Sequence, residues 1–238
     1  EPIVGFTAAP IFGDEDDIPN NDSLDFEFDA NNLFREGRYP GIDRVDGGVR
    51  VTYGLRGAVY FANGGSLSAF LGQSYQITDR DSYPAGSGLD RPFSNIVGSV
   101  SINPIENVDV EWRFSFDSRT MNADRNEVSA RLDFSPVLLV ANYTYANNYA
   151  EIPGSPNTDE LSVAARLRLN DYWSLTGSYT YDFDSSATRE YSLGLSYLDE
   201  CFDLDITVER SLTTDRDRSA GTSVFVRLDL LTLGSSRQ

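Results

Sequence analysis

The only thiol of the sequence is Cys201, inside the stretch YLDECFDLDI. A thiol can act as a nucleophile, bind a metal or form a disulfide. The chain contains no histidine, which removes the commonest general base and the commonest metal ligand. Mechanisms built on Ser-His-Asp, Cys-His or HExxH are therefore excluded within this chain, and we expect no enzyme, cofactor or metal site. Because Asp199 and Glu200 disfavour a reactive thiolate, Cys201 is either a small buried side chain or half of a bond.

Charged side chains are frequent between about residues 10 and 46. The run GDEDD, Gly13–Asp17, could bind Ca²⁺, but the ligand spacing of a dedicated site is missing, which favours a solvated acidic loop. The following stretch NLFREGRYPGIDR carries Arg35, Arg38 and Arg44. Guanidinium groups suit phosphate, so contact with a phosphorylated sugar and pairing with the nearby acids are both open interpretations.

Composition limits the partners of the chain. The 238 residues have a formal net charge of −18, and all 19 basic residues are arginine. A phosphate-binding surface for nucleic acid needs clustered positive charge, so we expect no nucleic-acid partner. No stretch of 18 or more apolar residues occurs, which excludes a transmembrane helix from the sequence pattern.

Most of the sequence alternates apolar and polar residues. In NVDVEWRFSFD, the residues Val108, Val110, Trp112, Phe114 and Phe116 are apolar, and their neighbours are polar. Successive residues of a strand face opposite sides, so this pattern predicts one apolar and one polar face. Twelve strands are predicted, at about 2–9, 47–61, 66–78, 94–103, 106–118, 123–135, 136–149, 157–170, 171–184, 188–200, 202–213 and 220–234.

Strand length and loop length favour a membrane barrel over a soluble sandwich. Most predicted strands exceed the roughly 5–6 residues usual in soluble proteins and match the roughly 9–11 needed to cross a bilayer. Short connections such as DEC, ND and SP alternate with long ones such as TTDRDRSAG, FDSSATR and SRTMNADRN. Outer-membrane barrels combine short periplasmic turns with longer external loops. The predicted class is an all-β antiparallel transmembrane barrel, with a polar lumen containing Arg166 and Arg168.

Two long segments of the sequence are distinctive. The first, Ile18–Leu55, contains NDS, FDANNLF, an R-x-x-G-x-DR pattern and GVRVTYGL, and LGQSY follows it. The second is DECFDLDITVERSLTTDRDRSAGTSVFVRLDLLTLG. Both segments resemble the LptD (OstA/Imp) family of lipopolysaccharide-assembly proteins. Family members have a periplasmic jellyroll and a barrel of roughly two dozen strands. The resemblance implies that residues 1–238 are the C-terminal part of such a barrel, with a long external loop at about 10–46 and no jellyroll.

The family resemblance also implies a function and a location. The chain would belong to a conduit in the outer membrane of a Gram-negative bacterium that delivers lipopolysaccharide to the outer leaflet. Implied partners are an LptE-like plug lipoprotein, a periplasmic transport bridge, lipopolysaccharide, outer-membrane lipid and the barrel-assembly machinery. The segment NLFREGRYPGIDR would fold back as a cap over or into the lumen. A self-contained pore of about twelve strands and a barrel enzyme are the alternatives; known barrel enzymes rely on His.

Specific residues acquire roles from the resemblance. Family cysteines near the C-terminus pair with cysteines of the N-terminal region, which makes Cys201 half of an interdomain disulfide whose partner lies outside the chain. Many members have two adjacent cysteines here, whereas Phe202 follows Cys201, so only one such bridge can form. The closing strand would meet the first barrel strand at a seam that opens sideways. Its apolar face contains Thr222, Val224, Val226, Leu228 and Leu230.

Overall fold

Twelve β-strands make up the described part of the fold. The computed structural model describes residues 1–10, 28–39, 46–78, 83, 86–147, 157–213 and 220–230. The strands are β1 (Pro2–Ala9), β2 (Gly48–Tyr60), β3 (Ser66–Gln76), β4 (Ile96–Ile105), β5 (Val108–Phe116), β6 (Ala123–Phe134), β7 (Val137–Ala146), β8 (Thr158–Arg168), β9 (Trp173–Asp182), β10 (Ala187–Leu198), β11 (Phe202–Ser211) and β12 (Gly221–Leu230). No helix in the described part has the length and apolar character that crossing a membrane requires.

The strands follow one another in chain order in a single sheet of antiparallel neighbours, from β1 to β12. This confirms the predicted all-β antiparallel class and each of the twelve predicted strands. The end of the predicted closing strand, residues 231–234, lies outside the described residues. Closure of the sheet into a barrel stays a prediction.

The predicted alternation of connection lengths holds with one exception. The connections at 61–65, 106–107, 135–136, 169–172 and 199–201 are short, and longer ones lie between them. The predicted long loop FDSSATR is wrong, because only residues 183–186 connect β9 to β10. Asp182 closes this turn by accepting a hydrogen bond from the Ser185 amide at 3.1 Å. A bulge between Thr188 and Glu190 then allows β10 to begin early.

The chain divides into two compact units. The first comprises Glu1–Ile105, Glu111–Glu127 and Tyr145–Thr158, and the second comprises Glu106–Val110, Val128–Thr144 and Asp159–Gln238. The buried hydrophobic cluster lies in the first unit and consists of Phe28, Leu33, Phe70, Leu89 and Val97. We call residues 28–39 the capping segment, because they supply Phe28 and Leu33 to this cluster against side chains of β3 and β4.

Candidate functional site: an exposed apolar face and a polar face

In the first unit, the apolar face of the strands is exposed. Val4 is 74% exposed, Phe6 68% and Leu55 62%. These residues share one face, because Val4 lies opposite Tyr53 and Phe6 lies opposite Val51 in the register of β1 and β2. A soluble protein normally buries such a face, so this arrangement is typical of a surface that contacts lipid or another protein.

The second unit has the same exposed apolar face. The register places Leu193 opposite Val208, and Val208 opposite Val224. Farther along the same strands, Leu195 faces Ile206, which faces Val226. Leu193 is 58% exposed, and Val226 is 66% exposed. Three neighbouring strands, β10, β11 and β12, therefore present one continuous apolar surface.

The opposite face of the second unit is polar and internally hydrogen-bonded. Hydroxyl pairs bridge neighbouring strands, with 3.1 Å between the oxygens of Ser162 and Thr180 and 2.6 Å between those of Ser178 and Ser192. Arg166 and Arg168 lie opposite Thr176 and Ser174. This confirms that the two arginines share the polar face.

Ion pairs concentrate on the polar face of the last two strands. Arg227 of β12 pairs with Asp203 at 3.4 Å and with Asp205, both on β11. Asp229 lies 3.4 Å from the same guanidinium group. Three carboxylates share one guanidinium group, so this group of four side chains has a net negative charge.

In the first unit, the capping segment covers the polar face. Arg50 of β2 is 1% exposed, and its Nη2 donates hydrogen bonds to the carbonyls of Arg35 and Glu36, both at 2.7 Å. Asp46 links the segment to the strand, because its Oδ2 lies 2.8 Å from Arg38 Nε and 2.8 Å from Arg50 Nη1. One carboxylate thus holds two buried arginines. This attaches the capping segment to β2.

Aromatic rings surround the Arg38 guanidinium. Its carbon lies 5.9 Å from the ring centroid of Phe28 and 5.3 Å from that of Tyr83. Tyr39 stacks on Tyr83 with 5.0 Å between centroids. Burial raises the pKa of the Tyr83 phenol, so its neutral form persists at physiological pH. The arginine is therefore held by π-faces and by Asp46 together.

Close approach of the capping segment depends on Gly72 of β3. A Cβ added there would lie 2.4 Å from Leu33 Cδ2, which is closer than two carbon atoms that are not bonded to each other can come. Leu33 is completely buried at this point. Glycine is therefore required here for packing, where the apolar end of the segment meets the strand.

A cavity of about 210 Å³ lies beside the capping segment and is lined by residues that include Tyr75, Tyr83, Asp90 and Arg91. Arg91 Nη1 lies 2.8 Å from Asp117 Oδ2, so its charge is already paired. Hydrogen bonds from the Thr120 and Arg119 amides, and then from Arg91, lower the pKa of Asp117 to about 2. The cavity therefore offers polar edges and aromatic faces, with its arginine neutralised.

The structure tests the predicted arginines differently. Arg38 pairs with Asp46, a nearby acid, whereas its contact with a phosphorylated sugar stays a prediction. Arg35 uses its backbone: its amide donates to Asn32 O at 3.0 Å, and its carbonyl accepts from Arg50. Arg44 and the acidic run Gly13–Asp17 lie outside the described residues. No group of side chains in the described part could hold a metal ion.

Cys201 lies in the short turn between β10 and β11 and is exposed. Asp199 Oδ1 shapes this turn by accepting hydrogen bonds from the amides of Phe202, at 2.9 Å, and Cys201, at 2.7 Å. The same two bonds lower the pKa of Asp199. The interpretation of Cys201 as a buried thiol is wrong, whereas its disulfide stays a prediction.

The closing strand places its predicted residues together and adds one that we did not predict. Thr222, Val224, Val226, Leu228 and Leu230 are exposed on one face of β12. Phe225 lies on the polar face, opposite Thr207, and is 53% exposed. Residues two apart in a strand share a face, so the spacing between Phe225 and Arg227 in the sequence could have placed Phe225 on the polar face. Asp46 and Arg50 were also missed, because their pairing depends on how the capping segment folds back.

Comparison with known proteins identifies the family. A family model described as "LPS transport system D" matches residues 1–173, which is more than half of the chain. The chain belongs to the LptD family. The LptD resemblance of the sequence is thereby confirmed.

Curated LptD proteins align with most of the chain. The "LPS-assembly protein LptD" of Saccharophagus degradans is 26% identical over 227 residues, covering 88% of this chain and 26% of that protein. Those of Salmonella paratyphi A and Escherichia coli K12 are 27% and 26% identical, each covering 89% of this chain and 29% of the relative. The chain thus spans less than a third of the length of these relatives.

Solved structures with a similar arrangement include mutants of the Rhodopseudomonas blastica porin. One has a TM-score of 0.42 at 15% identity and covers 76% of this chain and 70% of the porin. A triple mutant has a TM-score of 0.41 at 14% identity, covering 78% and 81%.

Proposed function

We propose that this chain forms part of the wall of an outer-membrane conduit that transports lipopolysaccharide and assembles it in the outer leaflet. One observation carries the proposal: in a member of the LptD family, an exposed apolar face lies behind a hydrogen-bonded polar face on the same strands. A wall with lipid on one side and a wet passage on the other needs this arrangement. The chain then acts by transport, with no enzymatic role.

The proposed wall is part of a larger barrel. An open strand edge leaves unpaired backbone groups, which lipid does not tolerate. We therefore propose that further strands of the full protein complete the sheet, and that β12 meets the first barrel strand at a seam. Thr222, Val224, Val226, Leu228 and Leu230 would line the lipid side of that seam. The LptE-like plug, the periplasmic bridge and the barrel-assembly machinery are its proposed partners.

The short turns mark the proposed periplasmic end, and the longer connections mark the external end. Cys201 then lies at the periplasmic rim, where disulfides persist. We propose that it bonds to a cysteine outside this chain. Thiol labelling of the folded full-length protein should find Cys201 unreactive until a reductant is added. Ready labelling without reductant would contradict the bond.

Photo-cross-linking tests the transport function. A photoreactive residue at Ser196 would lie on the polar face, near the turn that precedes β11. One at Leu204 would lie on the apolar face at similar depth, opposite Tyr197. At this end of the strands the surrounding leaflet contains phospholipid, so only transport brings lipopolysaccharide near.

Cells producing the full-length protein should give lipopolysaccharide adducts at Ser196, and few at Leu204. These adducts should disappear when lipopolysaccharide supply is stopped. If a correctly inserted protein gives no adduct at Ser196, or equal adducts at both positions, the chain is not a wall of the transport path.

A further inference from the structure

The exposed apolar face of the second unit ends in a row of polar-tipped side chains. In register across β9 to β12, this row consists of Tyr179, Tyr191, Arg210 and Thr222. Tyr179 is 43% exposed and Tyr191 is 45% exposed. Arg210 and Thr222 are also exposed. We call these four residues the boundary row.

Arg210 belongs to the apolar face by its position on the strand. Its neighbours two residues away on that face are Val208, 44% exposed, and Leu212, 43% exposed. Its Nη1 donates a hydrogen bond of 3.0 Å to Thr222 Oγ1. None of the ion pairs found in the described residues includes Arg210. The acids Glu190 and Glu209 belong to the opposite face.

The depth of Arg210 explains how a charge is tolerated there. Arg210 lies eight positions along β11 from Phe202, at the other end of the strand. At about 3.3 Å per residue and a tilt near 40°, this spacing corresponds to roughly 20 Å along the bilayer normal, close to the height of a barrel's apolar band. Phe202, Trp173 and Tyr197 form an aromatic cluster at that other end, with centroids 4.8 Å and 5.2 Å apart for the two pairs containing Tyr197. Arg210 and the aromatic cluster thus mark two boundaries of one apolar band.

We propose that the boundary row binds the phosphate of a phosphorylated glycolipid in the surrounding leaflet. The guanidinium offers N–H groups beyond the one used by Thr222, and it matches phosphate with two parallel hydrogen bonds. The tyrosine and threonine hydroxyls can add further donors. The apolar residues Val208, Leu193 and Val224 lie next along the face, where the acyl chains of the same lipid would pack.

The proposal rests on the proposed function for its orientation, since the row lies at the end of the strands with the longer connections. The proposed lipid site is separate from the proposed transport path, because the polar face carries the cargo and the boundary row lies on the opposite face. The lipid of this site stays bound at the outside of the wall.

Lipid retention tests the site. Purified full-length protein is incubated with phosphatidylcholine vesicles containing diphosphorylated lipid A, or the same lipid with its phosphates removed, and the lipid kept after detergent exchange is counted by mass spectrometry. Arg210→Gln should lower retention of the phosphorylated lipid by about tenfold, as expected for charge-assisted hydrogen bonds. Retention of the dephosphorylated lipid should not change.

Two further variants control the result. Arg119→Gln makes the same change of charge in the loop after β5 and should retain lipid normally, because Arg119 is not part of the boundary row. Arg210→Lys keeps the charge without the fork and should retain an intermediate amount. Both Arg210 variants must keep the heat-dependent gel mobility of the folded protein. A loss of lipid in Arg210→Gln is then due to the site and not to misfolding.

Each other outcome overturns the proposal. Equal retention by Arg210→Gln and the unaltered protein, or equal losses for both lipids, would show that phosphate is not recognised. Displacement of the lipid by millimolar inorganic phosphate would show a site for the free ion. Retention is independent of transport, so adducts absent at Ser196 with the Arg210 effect intact would reject only the proposed function.

Discussion

Asp46 balances the two buried arginines that attach the capping segment to β2. Its side chain and those of Arg38 and Arg50 are each 1% exposed. Replacing Asp46 with Asn would leave two buried positive charges without a counter-charge, which should destabilise the protein by about 3–5 kcal/mol. Heat-modifiable gel mobility of the full-length protein should show a lower unfolding temperature.

A matched control is available in an exposed pair. Asp133 pairs with Arg131 at 2.9 Å, and the two side chains are 53% and 49% exposed. Asp133→Asn should change stability by less than about 1 kcal/mol, because water already screens the pair. Equal effects of the two substitutions would show that the Asp46 pairing does not hold the capping segment.

At this scale the sequence allowed only part of the site to be predicted. The pairing of Arg38 with an acid was one of two open interpretations, because sequence proximity to many acids does not say which one it contacts. Asp46 became the partner through a fold-back that also brought Arg50 beneath the carbonyls of Arg35 and Glu36. Such contacts depend on tertiary geometry, which period-two patterning does not encode.

At the scale of single strands, β10 offers a direct test of the two faces. Leu193 lies on the exposed apolar face, and its neighbour Ser192 lies on the polar face opposite Glu209. Leu193→Arg should cost about 1–3 kcal/mol and reduce the amount of folded protein in the membrane, because a charge within the apolar band faces lipid. Ser192→Arg should have little effect, since the polar face of a barrel wall contacts water.

The amounts of folded protein in isolated outer membranes measure both substitutions. Comparable losses for the two neighbours would mean that the faces do not differ in solvent. This alternation was predictable from the sequence, because residues of one strand alternate sides whatever the rest of the chain does. The turn at 183–186 was not, because the hydrogen bond from Ser185 to Asp182 and the bulge after Thr188 are not visible in the apolar pattern.

For the whole molecule, the strand order could be predicted from the sequence. The order β1 to β12 contains no crossover, so each strand pairs with its neighbour in sequence. Local patterns were sufficient for this topology, since a meander needs only strand limits and turns. Which strands would lie beside β1 and β12 in the proposed larger barrel cannot be read from these local patterns.

The proposed function requires that the two faces of these strands contact different solvents. Spin labels placed singly at Tyr191, Ser192, Leu193, Leu195 and Ser196 of the full-length protein in outer membranes measure this directly. Collision with lipid-soluble oxygen should dominate at Leu193 and Leu195, whereas a water-soluble nickel complex should reach Ser192, Ser196 and, at the edge of the apolar band, Tyr191. Access of the nickel complex to all five positions would contradict the proposed function. Access to Leu193 and Leu195 with exclusion from Ser192 and Ser196 would contradict it as well.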